Sequence, residues 1–201
     1  MKKKPENYVE LNKRAYDLMV ERVTKEWYNY QPRSHWRYFT GLLLGRRILD
    51  LGCGPGRDAK YFSENGYDVV GVDISEKMIS KSKKVAPKAK FLVRDMRNLR
   101  FRKESFDGVW CMSSLTLLDE NHVMPVLEKI NSLLKKGGTL FLSMKEGEGA
   151  YSYGRGEMKR YGFLYSKKDI EQKIRQAGFD VVKKRKEAGK YCTWLNFFCI
   201  K

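Results

Sequence analysis

Cysteine, histidine and long apolar runs are all scarce in this 201-residue chain, and each scarcity removes a class of protein. The four cysteines, Cys53, Cys111, Cys192 and Cys199, are scattered without C-x-x-C spacing, so neither a disulfide framework nor a zinc site is expected. The two histidines, His35 and His122, read as surface or capping residues rather than ligands. No apolar stretch reaches membrane-spanning length, and Pro5-Glu6-Asn7 stands where a signal peptide opening on Lys2-Lys3-Lys4 would need its apolar segment. The expectation is a soluble, cytoplasmic protein with no membrane partner. Acid is short as well: 24 Asp and Glu face 41 Lys and Arg, a formal charge of +17 that raises affinity for polyanions. Because the basic residues are spread from Lys2 to Lys201, a lysine-rich solvated surface is the plainer reading and RNA the alternative partner. Repeats and low-complexity tracts are absent, the length suits one domain that buries a core without staples, and no signal for an oligomeric state is present.

Against these absences stands one dense feature. Residues 48–58, Ile-Leu-Asp-Leu-Gly-Cys-Gly-Pro-Gly-Arg-Asp, carry an apolar run onto an acid and then into glycine at every second position. That pattern predicts a strand breaking into a ligand loop, with Gly52, Gly54 and Gly56 free to take positive φ and admit a ligand without Cβ obstruction. Upstream, the spacing of Tyr8, Leu11, Ala15, Leu18, Met19 and Val23 predicts one helix over 8–27, and Ser34 caps a second that ends near Gly41. Downstream, strands are predicted near 46–51, 67–72, 91–93, 106–112, 139–144, 179–184 and 191–200. Helices fall over 58–65, 75–85, 123–136 and 166–177, with Gly137-Gly138 separating helix from strand. Residues 145–165, with five glycines and four tyrosines and no periodicity, read as a lid loop. Alternating strands and helices closed by a hairpin imply an α/β sandwich whose sheet is mostly parallel with one antiparallel strand.

Ligands of such sheets sit outside the carboxyl ends of the strands where the strand order reverses, and this chain keeps acids there: Asp50, Asp73 and Asp95 close the first three strands. Three carboxylates repel a phosphate-bearing cofactor and suit a ligand with an ammonium, a ribose diol and an exocyclic amine, as S-adenosylmethionine has. Two rivals share parts of the pattern. A nicotinamide dinucleotide fold would need glycine at position 57, where Arg57 stands, and a plain β–α turn would leave the three acids as separate caps.

The order Asp50-x-Gly52-x-Gly54-x-Gly56, an acid ending strand two and an acid after strand three, resembles the class I S-adenosylmethionine-dependent methyltransferases over roughly residues 46–200. The resemblance implies a Rossmann-like three-layer sandwich with a seven-stranded, mostly parallel sheet, its last strand antiparallel. It also implies cofactor contacts: Asp50 to the methionine ammonium, Gly52, Cys53, Gly54 and Gly56 along the amino acid and ribose, Asp73 with Ile74 at the ribose hydroxyls, and Asp95 with Met96 at the adenine. Trp110 and Cys111 would pack near the sulfonium or adenine. Residues 1–45 would form a helical extension covering the active site of a methyltransferase domain over 46–201.

The acceptor is narrowed by motifs that are missing. Cys111-Met112-Ser113-Ser114-Leu115 follows strand four in place of the Asn/Asp-Pro-Pro-Tyr/Phe with which similar enzymes grip a base amine, and no Pro-Cys pair offers a thiolate. Trp110 to Leu118, Lys145-Glu146-Gly147-Glu148-Gly149 and Trp194-Leu195-Asn196 resemble the small single-domain, tellurite-resistance-like group, which implies a small-molecule methyl acceptor. Relatives often carry a histidine near Leu117; without it Glu146 becomes the candidate catalytic base or substrate contact, with a solvated loop glutamate as the other reading. Tyr16, Tyr161 and Trp194 are candidate acceptor-binding aromatics, with core or lid packing as their alternative. Lys183-Lys184-Arg185-Lys186 reads as a solvated turn or an RNA phosphate contact. RNA or protein methylation and a non-catalytic cofactor-binding protein are the competing functions.

Overall fold

Apolar strands flanked by amphipathic helices bury both faces of the sheet, and the computed structural model shows this over the residues it describes, 4–189 and 191–201. Lys2 and Lys3 of the basic N-terminus lie outside the described residues. The order is α1 (Tyr8–Leu18), α2 (Val20–Tyr28), α3 (Arg33–Leu42), β1 (Arg47–Leu51), α4 (Arg57–Glu64), β2 (Asp68–Asp73), α5 (Glu76–Val85) and β3 (Lys90–Val93). There follow β4 (Phe106–Met112), α6 (Glu120–Leu133), β5 (Leu134–Lys145), β6 (Gly149–Tyr153), β7 (Arg160–Leu164), α7 (Lys167–Gln176), β8 (Asp180–Ala188) and β9 (Thr193–Ile200). Seven strands form one sheet in the order β3-β2-β1-β4-β5-β9-β8, parallel from β3 to β5, with β9 antiparallel to both its neighbours. Strand alternation divides the core. Leu49, Val109 and Leu142 pack with α6 and α7 on one face, while Ile48, Trp110 and Phe141 pack with α3 and α4 on the other. Among the described residues no helix is long and apolar enough to cross a membrane.

Local chemistry sets several boundaries as expected. Ser75 Oγ accepts from Met78 N at the start of α5, Ser166 Oγ accepts from Asp169 N at the start of α7, and Gly178 leaves α7 at φ 85°. Tertiary contacts override others. The expected single helix over 8–27 is two, meeting at Met19, because the halves dock in different directions. Asn12 of α1 engages β7, whereas Val23 of α2 packs with Met78 on α5. Gly137-Gly138 does not separate helix from strand: β5 already begins at Leu134, and the glycines lie where its register with β4 shifts.

Two further expectations are corrected. Residues 145–165 are not an irregular lid but carry the antiparallel hairpin β6–β7, a sheet of its own. An isolated hairpin is marginal in water. Here the buried Asn12 side chain acts as a peptide group of a neighbouring strand, donating to the Tyr161 carbonyl (2.8 Å) and accepting from the Tyr161 N–H (2.7 Å). The basic run 183–186 is not a turn but part of edge strand β8, where Lys184 pairs with Glu171 and Lys186 with Glu146. Charge along an edge strand discourages pairing with other chains.

Trp110 is fully buried, stacked on Phe141 with ring centroids 3.9 Å apart, and its indole N–H has no partner. Trp110→Ala should therefore cost about 3–5 kcal/mol in urea unfolding. Trp110→Phe keeps the stack and removes the unpaired donor, and should cost no more than about 1.5 kcal/mol.

Candidate active site

Strand order reverses between β1, paired with β2, and β4, paired with β5; the loops leaving the carboxyl ends of these strands form a crevice. Gly52, Gly54 and Gly56 take φ of 73°, 50° and 89°, as their spacing predicted. A Cβ on Gly52 would lie 2.3 Å from the Ser114 side chain, and one on Gly54 would lie 2.9 Å from the Trp27 ring. The glycines therefore hold the loop close to β4 on one side and to α2 on the other. Asp73 ties the loop to the next helix, its carboxylate accepting from Gly54 N and Ser75 N at 2.9 Å each.

The predicted residues divide by depth. Gly52, Gly54, Asp73, Ile74, Asp95, Met96 and Tyr16 line the crevice, which encloses about 750 Å³ of space partly continuous with solvent. Asp50, Cys53 and Gly56 lie buried beneath it, where Gly56 meets Ser82 of α5 and Cys53 packs into the core. Trp110 and Cys111, expected beside the cofactor, are wholly buried instead. Alternation points Trp110 at α3 and α4, while the Cys111 thiol meets Ser114 Oγ at 3.2 Å. Glu146, Tyr161 and Trp194 do not line the crevice. Glu146 is bound at 2.7 Å by Lys186, Tyr161 gives its backbone to Asn12, and Trp194 lies beside Lys145. Asp95 reaches the crevice but gives its carboxylate to Arg97, through the Arg97 N–H at 2.8 Å and the guanidinium.

Asn12, Lys13, Arg94 and Ser113, which no sequence motif marked, also line the crevice, as does Leu117, the position near which relatives often carry a histidine. Ser113, at φ 61°, takes a left-handed conformation unusual outside glycine as the chain leaves β4. No compositional signal marks it.

Arg57 opens α4 and, beyond standing where a dinucleotide loop needs glycine, organises the site. It is 5% exposed, forms a buried pair with Asp58 at 2.8 Å, and donates to the carbonyls of Trp27 (3.4 Å) and Tyr30 (3.2 Å). Asp58 also accepts from the Trp36 indole at 2.7 Å. Asp50 lies in the field of this pair. Burial and then the like charge of Asp58 push its carboxyl well above the usual range, Arg57 opposes them, and one of its oxygens has no hydrogen-bond partner. Burial pushes Asp73 up to about 6, against the backbone donors at Ser75 and Gly54. An orphaned buried carboxylate oxygen fits a ligand ammonium, the glycine cradle fits a chain laid close to backbone, and Ile74 and Met96 offer apolar contact to a ring. The residues present thus fit S-adenosylmethionine, with the reservation that Asp95 is engaged by Arg97.

Removing Arg57 should leave Asp58 and Asp50 uncompensated. Arg57→Met is expected to cost about 3–5 kcal/mol in denaturant unfolding. Limited proteolysis should at the same time cut sooner between α2 and α3, whose carbonyls Arg57 holds.

A family model described as a methyltransferase domain matches residues 48–138. An uncharacterised methyltransferase of Schizosaccharomyces pombe is 31% identical over 137 residues, covering 64% of this chain and 92% of its own length. The chain spans about half the length of other curated relatives it matches, 52% of one from Bacillus subtilis and 54% of one from Geobacillus. Among solved structures, the Burkholderia thailandensis 1,6-didemethyltoxoflavin-N1-methyltransferase, with 1,6-didemethyltoxoflavin and S-adenosylhomocysteine bound, superposes with a TM-score of 0.75 at 21% identity. The match covers 99% of this chain and 91% of that one. A TehB-like methyltransferase from Corynebacterium glutamicum gives 0.71 at 21% identity, covering 92% and 98%. Identity at that level speaks to the fold alone.

Proposed function

The chain belongs to the class I S-adenosylmethionine-dependent methyltransferases, and on that premise we propose that it transfers a methyl group to a small-molecule acceptor. The observation that carries the reading is the wall of the crevice. Lys13 and Tyr16 of α1 and Trp27 of α2 line it opposite the glycine loop and Asp73, so the space is a walled pocket rather than an open groove for a polymer. The second reading, an RNA acceptor, is favoured by the +17 charge and by Arg33, Arg37 and Arg185, which gather around one hollow of the surface.

Bound in the crevice, S-adenosylmethionine supplies a methyl carbon open to in-line displacement with a neutral thioether leaving. Asp50 would act on its ammonium from beneath the crevice floor, Asp73 would meet its ribose hydroxyls, and Ile74 and Met96 its ring. The protein's remaining tasks are to align the acceptor and exclude water, which α1 and α2 serve by covering the mouth. With Asp73 given to the ribose and Asp95 to Arg97, the crevice offers Tyr16, whose hydroxyl burial holds well above its usual pKa and hence protonated. Glu146, expected as a base, is paired with Lys186 away from the crevice. The acceptor atom therefore brings its own nucleophilicity.

Methyl-labelled cofactor, pure protein and cell extract divided into small molecules, RNA and protein should yield label in the small-molecule fraction. Label removed by nuclease would move the assignment to RNA, and calorimetry showing no binding of S-adenosylhomocysteine would overturn the reading altogether. Cofactor affinity carries a pH signature. Ribose hydroxyls donate to an ionised Asp73, whose carboxyl titrates at about 6, so acidification removes the acceptor. The dissociation constant should rise about tenfold between pH 7.5 and 5. In Asp73→Asn the part of that rise centred near 6 should vanish while affinity at neutral pH falls.

A further inference from the structure

A second cluster adjoins the crevice, and its chemistry is one-sided. The Tyr16 hydroxyl lies 3.3 Å from that of Tyr153 on β6. Over the Tyr153 ring stand two cations, the Arg160 guanidinium at 4.1 Å and Lys145 Nζ at 4.9 Å from the centroid. Lys145, at the carboxyl end of β5, also faces the rings of Tyr151 (4.6 Å) and Trp194 (5.4 Å), and Arg160 faces Tyr16 (5.4 Å).

Neither cation has a carboxylate partner among the described residues, and the buried Arg160 Nε has no hydrogen-bond partner. The acids nearest in sequence are engaged elsewhere, Glu146 by Lys186 and Glu157 by Arg14. The buried Tyr151 hydroxyl lies beside Thr116, whose own hydroxyl donates to the Phe163 carbonyl. Burial draws the Lys145 ammonium below a lysine's ordinary value; the Cys192 thiol opposes the shift and the charge of Arg160 adds to it, so the two cations are close enough to repel each other. Aromatic faces offset part of that cost. What remains is a pair of cations, Lys145 Nζ and Arg160 Nε, with no carboxylate beside them and the Tyr151 hydroxyl nearby.

We propose that this cluster is an oxyanion subsite, and that the methyl acceptor is a small molecule carrying a carboxylate or phosphate held by Lys145 and Arg160 while its reactive atom reaches past Tyr16 into the crevice. An anion between the two cations removes their repulsion and satisfies the open donors, and the flanking tyrosine and tryptophan rings suit an aromatic body on the same molecule. Hairpin β6–β7, clipped to α1 by Asn12, supplies Tyr151, Tyr153 and Arg160 and so builds acceptor selectivity into an insertion beyond the parallel sheet. The proposal rests on the small-molecule reading and deepens it.

The test uses the full chain saturated with S-adenosylhomocysteine and three probes followed by ligand-observed NMR: benzoate, phenyl phosphate and the neutral isostere benzamide. At least one anion should bind about tenfold or more tightly than benzamide, and whichever does so identifies carboxylate or phosphate as the group. Lys145→Met and Arg160→Met should each weaken that anion about tenfold, Lys145→Arg should retain most of the affinity, and the affinity for S-adenosylhomocysteine should not change. Equal binding of benzamide and both anions, or no binding of any probe, overturns the subsite on the native protein even if a variant fails to fold. Weakening by Lys145→Arg as great as by Lys145→Met also overturns it, because the charge would then not be what is recognised. Failure of S-adenosylhomocysteine itself to bind is the separate result that sinks the methyltransferase reading.

Discussion

Everything at the carboxyl edge of the sheet is organised around one buried guanidinium. Arg57 lies among Asp58, which it pairs, and Asp50, whose charge it partly offsets, and it also holds the carbonyls that end α2 and lead into α3. A buried ion pair is a poor source of net stability, since desolvation consumes most of the attraction. Its value here is positional: it cannot be satisfied unless the glycine loop, the start of α4 and the N-terminal helices are in place together. One positive charge among Asp50, Asp58 and Asp73 leaves the site with an excess of carboxylate, which favours a ligand carrying positive charge and hydroxyl donors over one carrying phosphates. The side chain that occupies the third glycine position of a dinucleotide loop thus ties the glycine loop and the start of α4 to the N-terminal helices.

Around that centre the chain builds outward in two steps. Asp73, closing β2, anchors Gly54 and the first turn of α5, so the crevice floor is rigid. The walls are then added by elements that are not part of the parallel sheet. Asp17 of α1 accepts from Ser75 Oγ at 2.6 Å, Glu21 of α2 pairs with Lys81 at 2.8 Å, and the Asn12 side chain joins α1 to the β6–β7 hairpin. Under the proposals above, cofactor binding and acceptor selection belong to different parts of the chain.

Much of the sheet was legible because its signals are local. Apolar runs ending on Asp50 and Asp73, glycines at alternate positions, and Ser75 and Ser166 ahead of helices each carry their structural consequence within a few residues, and the strand over 106–112 was read to its exact ends. Misreadings gather where a residue's role is set by a partner far along the chain. The hairpin of 145–165 has no apolar alternation because both its faces are half-buried, one strand being completed by an asparagine 149 positions away. Trp110 and Cys111 sit at the right strand end, but the pleat turns them into the two faces of the core. The basic run at 183–186 looks solvated in sequence and is in fact part of an edge strand, with Lys184 and Lys186 paired to acids and Lys183 over the Tyr38 ring.

Composition and motif spacing were enough to establish that this chain makes a mostly parallel α/β sheet with a glycine loop and acids at its strand ends, and so the class of cofactor. These are properties of backbone conformation and of charge placed next to it, and neighbouring residues encode both. Which acids remain free, what covers the crevice and which cations lack a counter-ion were decided only by tertiary structure. Asp95 is claimed by Arg97, Glu146 by Lys186 and Glu157 by Arg14, whereas among the described residues Lys145 and Arg160 are left without a carboxylate partner. Charge pairing is a competition among all groups brought within a few ångströms, and no sequence spacing records its outcome.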